Sequence, residues 1–222
     1  MGPGPWAAGC DPTPPVRAAR PFPTAIAGLT VPQDDVAAGT WAWAGRSLPD
    51  FLFTHSVRSY CWAAAIAYRE GWSFDRTILW VASLLHDVAL RRVSRNRACF
   101  ETEGAEFARR FARRLGMSSA GCDAVARAIV LHMAPGVTLD DGVESVLLDR
   151  ATGLDVRGSG YETIVDLRDA VLRDYPRRAF DRHFAEAIRR DAIARPGCQS
   201  ARLLGEMDLV GAMARSPWAD RR

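Results

Sequence analysis

Two consecutive side chains in the stretch Leu84-Leu85-His86-Asp87-Val88 are equipped for chemistry, an imidazole and a carboxylate at the end of an apolar run. Both are good ligands for a borderline divalent metal. An Asp set between such neighbours is costly to desolvate unless a cation or a hydrogen-bond network meets it. Two more histidines, His55 and His132, and a second aspartate, Asp155 between Leu154 and Val156, stand in equally apolar surroundings. One inward histidine is more often a core residue satisfied by a hydrogen bond than a ligand. Three of them with two aspartates call for a common partner, and a divalent cation supplies one.

Helices must bring these groups together. Over residues 50–70, Leu52, His55, Ser59, Trp62 and Ile66 recur at three- and four-residue steps, which predicts a helix closed by Gly71 with His55 on its inward face. A second helix, from about Phe74, sets Leu79, Ala82, His86 and Leu90 along one stripe. The short Gly71-Trp72-Ser73 turn lets the two pack antiparallel, so that His55 faces His86. The arginine-rich run 91–97 breaks the pattern and reads as a loop beside the His-Asp pair. Residues 101–115 predict a helix with Ala105, Ala108, Phe111 and Ala112 inward, and Ser118 or Ser119 caps the next, which carries His132 to the Pro135-Gly136 stop. A short helix over 143–150 is expected to run out through 151–156, with Gly153 as a left-handed cap. An earlier helix over 36–43 follows Pro32, and further helices are expected over about 161–173, 180–194 and 200–213. No strand period persists and no repeat is present, so the fold class is all-α.

Length bounds the architecture: 222 residues suffice for one well-buried domain and are too few for two large ones. Residues 1–23 hold seven prolines among small residues and read as a disordered leader, leaving 24–222 as a single helical domain. No apolar run approaches the ~20 residues of a membrane helix. The basic excess is only +3, which gives no reason to expect nucleic acid. Every basic residue is Arg, and the absence of Lys excludes Schiff-base and P-loop lysine chemistry. Five cysteines, odd in number and without C-x-x-C spacing, read as reduced thiols of a cytoplasmic protein.

In order along the chain, His55-Ser56-Val57-Arg58-Ser59-Tyr60, Leu84-Leu85-His86-Asp87-Val88, Phe100-Glu101-Thr102-Glu103-Gly104-Ala105, Ala128-Ile129-Val130-Leu131-His132 and Gly153-Leu154-Asp155-Val156-Arg157-Gly158 form a recognisable string. It resembles the HD-domain superfamily of metal-dependent hydrolases and, within it, the cyanamide hydratase-type HD proteins, over about residues 32–161. The resemblance implies a helical bundle with one metal site between core helices, held by His55, His86, Asp87 and Asp155. Zinc is the first expectation, with iron or manganese as alternatives. Dinuclear HD phosphohydrolases carry more histidines between the pair and the last Asp, whereas this chain has only His132 there, so one metal is expected.

The implied activity is a hydrolase or hydratase adding water to a small polar substrate, such as cyanamide to urea. A phosphohydrolase of nucleotides or other phosphate esters and a non-catalytic metal- or ligand-sensing module are the alternatives. Asp87 is expected to orient water as well as ligate, and His132 to hydrogen-bond substrate or shuttle a proton beside the metal. Arg58 is expected either to reach an anion in the pocket or to pair with Glu101 or Glu103. Glu101 either fixes a ligand imidazole or is a helix-start carboxylate. Glu103 stands where the resembled family has Asp, keeping the charge on a longer arm at the substrate pocket. The partner expected is a small molecule rather than a membrane or nucleic acid, and a homo-oligomer is left open.

Overall fold

The computed structural model describes residues 20–92 and 98–218. Ten α-helices account for nearly all regular structure among them: α1 (Asp35–Ser47), α2 (Asp50–Glu70), α3 (Arg76–Leu85), α4 (Phe100–Arg114), α5 (Ser119–Leu131), α6 (Val143–Arg157), α7 (Val165–Asp174), α8 (Phe180–Ala194), α9 (Gln199–Gly205) and α10 (Leu209–Ala214). The all-α expectation holds. A hairpin of two-residue strands, β1 (Ala25–Ile26) and β2 (Leu29–Thr30), precedes them. Ala27 and Gly28 turn it at positive φ, as a two-residue hairpin loop requires, and Tyr60 Oη donates to Thr30 O at 2.7 Å to pin it to the bundle.

Local chemistry sets the ends of the helices that matter. The Asp34 carboxylate caps α1, Asp75 caps α3 through the amides of Thr77 and Ile78, and Ser118 caps α5. Gly71 closes α2 in the left-handed conformation, as its position predicts. Helix α2 is the axis of the domain. It packs along α6 and against α3 and α8, while α5 fills the space between α3, α4 and α6. One end of the core is aromatic, with Trp41 stacked on Trp80 and Tyr60 edge-on to the same ring.

Three expectations need correction. Gly153 is not a cap: α6 runs on to Arg157 and ends at Gly158, which has φ 76°. Asp155 therefore stands on a helix rather than in an exit segment, with its side chain directed at α2. The last expected helix is two, since Asp208 adopts φ 43° and caps α10 through the amide of Gly211. Cys99 and Cys198 are not thiols but a disulfide, joining the start of α4 to the start of α9. At a sequence separation of 99, no spacing rule exposes the pair. Cys61 and Cys122 are free and buried. Residues 1–19 of the expected leader and 93–97 of the expected arginine loop lie outside the described residues. Phe22 lies beside Trp41 and Trp80, and Trp41 Nε1 donates to Arg20 O at 3.0 Å. No helix among the described residues is long and apolar enough to cross a membrane.

Candidate metal centre

Helices α2, α3 and α5 each deliver one imidazole to the same point. His55 lies in the second turn of α2, His86 is the C-terminal cap of α3, and His132 is the C-terminal cap of α5. Each has its Nδ1 committed: His86 to Ser83 O at 2.8 Å, His132 to Ile129 O at 2.6 Å, and His55 to Asp155 Oδ2 at 2.7 Å. Carbonyl and carboxylate oxygens accept, so each Nδ1 carries the proton and each Nε2 is left to bind a proton or a metal. The three Nε2 atoms converge on Asp87, which follows His86 where the helix gives way to a 3₁₀ turn. His86 Nε2 lies 3.2 Å and His55 Nε2 3.5 Å from Asp87 Oδ2, and His132 Nε2 lies 3.7 Å from Oδ1.

Both Asp87 oxygens are enclosed, and among the described residues neither accepts a hydrogen bond. His55 Nε2 and His86 Nε2 face each other at 3.1 Å. Burial alone would raise the Asp87 carboxyl, but the His86 imidazole, with His132 and His55 behind it, outweighs burial and holds it well below the usual carboxylate range. Burial lowers His55, whereas at His86 the Asp87 charge overcomes burial and raises the imidazole. A proton is thus drawn to the point where the lone pairs meet, and a divalent cation fits that point better because it satisfies several of them at once. Ligand atoms of His55, His86 and Asp87 lie within 4.8 Å of one another. An orphaned buried carboxylate amid nitrogen lone pairs is a donor set suited to a divalent metal.

Asp155 comes to a different place. It sits on the Nδ1 side of His55, away from the Nε2 that faces Asp87, and its oxygens are taken by Arg58 Nε and Nη2 at 2.8 Å each and Trp62 Nε1 at 2.7 Å. Burial would raise this carboxyl as well; the Arg58 and Arg177 guanidiniums outweigh it and hold Asp155 well below its ordinary value. In this arrangement it holds the His55 imidazole through Nδ1, whereas the resemblance implies a metal ligand, because α6 presents it to the flank of α2. Arg58 is correspondingly engaged by Asp155: it is fully buried, does not line the cavity beside the histidines, and among the described residues forms no pair with Glu101 or Glu103. Glu103 pairs instead with Arg195 at 2.7 Å, and neither it nor Glu101 lines the cavity beside the histidines. Burial pushes the Glu101 carboxyl up.

That cavity, of about 260 Å³, opens directly on His55, His86, Asp87 and His132. A sequence model of the HD domain matches residues 52–174, more than half of the chain and the whole stretch from His55 to Asp155. The chain belongs to the HD domain family. Two proteins of Saccharomyces cerevisiae, cyanamide hydratase DDI2 and cyanamide hydratase DDI3, are each 27% identical to it over 79% of this chain and 80% of theirs. The chain is accordingly a metal-dependent hydrolase or hydratase of the HD type, with the His-His-Asp cluster in the position to hold the metal.

Sequence reasoning misses several residues that complete this HD site. Thr152 Oγ1 donates to His132 O at 3.2 Å, tying α6 to the end of α5, and the side chain borders the cavity. Asp149, Arg157 and Arg202 also line it. Thr152 lies one turn before Asp155, a helical spacing that becomes readable only when α6 continues through Gly153. Arg202, far along the chain, leaves no signal.

Proposed function

We propose that the protein hydrates a cyano group of the cyanamide type. The observation that carries the reading is the convergence of three imidazole Nε2 atoms and one carboxylate on one cavity, in a chain with cyanamide hydratases among its relatives. A divalent ion held by His55, His86 and Asp87 would supply Lewis acidity and bring the pKa of a water toward neutrality. Asp87 has a second oxygen, Oδ1, turned toward His132, and this oxygen orients the attacking water. His132 Nε2, the ring nitrogen left available when Nδ1–H donates to Ile129 O, accepts a proton as the water oxygen bonds to the cyano carbon. It returns that proton to the nitrogen. The product tautomerises to the amide of urea, and no leaving group is expelled. Asp155 keeps His55 in the tautomer the ligand role needs, and Arg58 and Trp62 keep Asp155 in place.

A phosphohydrolase is the second reading, favoured by Arg157 and Arg202, which line the cavity and form no ion pair among the described residues. Elemental analysis of the purified protein, followed by cyanamide and phosphate-ester assays on the same sample, tests both. Stoichiometric transition metal with urea formation, abolished by a chelator and by Asp87→Ala, is the expected result. Phosphate release without urea formation replaces the first reading by the second.

A further inference from the structure

The cavity is larger and less polar than cyanamide needs. Cyanamide has three non-hydrogen atoms, comparable to about two waters at ~30 Å³ each, whereas the cavity of about 260 Å³ approaches the ~300 Å³ at which pockets for drug-sized ligands begin. Its lining is of two kinds. Beside the imidazoles and Asp87, the polar side chains are Asp149, Thr152, Arg157 and Arg202; the apolar surface is built by Phe184 of α8, whose ring lies 5.6 Å from that of His55, Leu203 of α9, Met207 in the α9–α10 bend and Leu209 of α10. Phe184, Leu203 and Leu209 are at most 4% exposed, and Met207, at 42%, stands at the mouth. All four lie beyond residue 174, where the family match ends, so this wall is built by the part of the chain outside the shared domain. It is also firmly anchored: Cys198 is bonded to Cys99, Ser200 Oγ donates to Asp191 Oδ2 at 2.7 Å, and Arg195 joins Asp191 to Glu103. A cyanamide molecule would fill only part of this cavity and leave part of its apolar surface uncovered.

We infer that the substrate carries an apolar substituent of several carbons on its reactive head, seated against Phe184, Leu203, Met207 and Leu209, which set the specificity. The cyano identity of the head rests on the hydratase reading; the apolar substituent rests on the wall alone.

Two homologous series separate the two. Binding of n-alkylureas and of n-alkyl phosphates, methyl to hexyl, to the zinc-loaded full chain is measured by calorimetry, alongside turnover of n-alkylcyanamides against cyanamide. Each methylene that reaches the wall strengthens binding about fourfold, and butylcyanamide exceeds cyanamide in kcat/KM by at least about tenfold. Met207→Asp and Leu209→Ser flatten the chain-length dependence while zinc content stays at one per chain. A chain-length dependence confined to phosphates supports the wall and sinks the cyano head group. Flat series on both heads, cyanamide turned over faster than every alkyl derivative, or a dependence that survives both variants overturns the inference.

Discussion

Replacing Asp155 by Asn leaves the shape of the side chain and removes the charge on which two buried guanidiniums depend. Asp155 takes two 2.8 Å hydrogen bonds from Arg58, one of 2.7 Å from Trp62 and one of 2.7 Å from His55, with Arg177 at 3.4 Å from the same carboxylate. Arg58 is 0% and Arg177 6% exposed, so water cannot take over. An amide has one acceptor oxygen, and its NH₂ must face either a guanidinium or the imidazole N–H. Breaking a buried pair of this kind costs about 3–5 kcal/mol, roughly a fifth or more of the ~5–15 kcal/mol that holds a typical domain together. The second consequence is functional. A residue that orients a ligand imidazole contributes about 10–100-fold in metal affinity. Guanidinium unfolding of the metal-free protein reads the first quantity, and competition of zinc against a chromophoric chelator, at a temperature where the variant stays folded, reads the second. The spectrum of the cobalt-substituted protein keeps its shape if Asp155 acts through His55, and changes if a ligand has been lost. Unaltered zinc affinity in Asp155→Asn would refute the orienting role, and a changed coordination spectrum would restore Asp155 to the ligand set.

Other parts of the structure lead to equally direct expectations. The Cys99–Cys198 bond closes a loop of 99 residues, for which chain entropy gives about 4–5 kcal/mol; reductant or Cys198→Ser should lower Tm by about 10–15 °C, and identical melting curves with and without reductant count against the bond. Gly104 lies under the backbone oxygen of His86, where an added Cβ would come within 3.2 Å. Gly104→Ala should therefore weaken zinc binding, by about tenfold for a displaced ligand segment, with little loss of helix content by circular dichroism; unchanged zinc binding shows that the segment can yield. Glu101 is buried, among the described residues its Oε2 has no partner, and burial raises its carboxyl above the ordinary 4.5. The folded state then holds that proton more tightly than the unfolded state, so wild-type stability falls as pH rises from 4.5 through the raised value. Glu101→Gln should gain on the wild type across that window and converge with it below; denaturant midpoints from pH 4 to 8 that run parallel for the two proteins would contradict this.

Among the site residues, those whose role depends on local pattern are legible in the sequence. His55, His86 and His132 each recur in phase with the apolar face of their own helix, and helical period alone turns such a residue inward. Asp87 is legible because an aspartate in an apolar run needs a partner. The C-terminal end of α2 follows from turn chemistry at Gly71. Asp155 is visible as a buried carboxylate, but whether it meets the metal or the far side of an imidazole depends on how α6 lies against α2. Helical period says nothing about that. Arg58 shows the same limit, since its side chain reaches Asp155, 97 residues away, and no local rule selects that partner over Glu101 or Glu103.

What the sequence by itself determined is an all-helical chain with five metal-competent groups facing inward, because periodicity, caps and the cost of a lone buried charge act over a few residues. Only the tertiary structure decided that the three Nε2 atoms meet at Asp87, that Asp155 stands behind His55, and that Cys99 finds Cys198. It also decided that the last helices close an apolar wall over the site. These are contacts between distant segments, and their energies come from packing and desolvation that exist only once the helices are together.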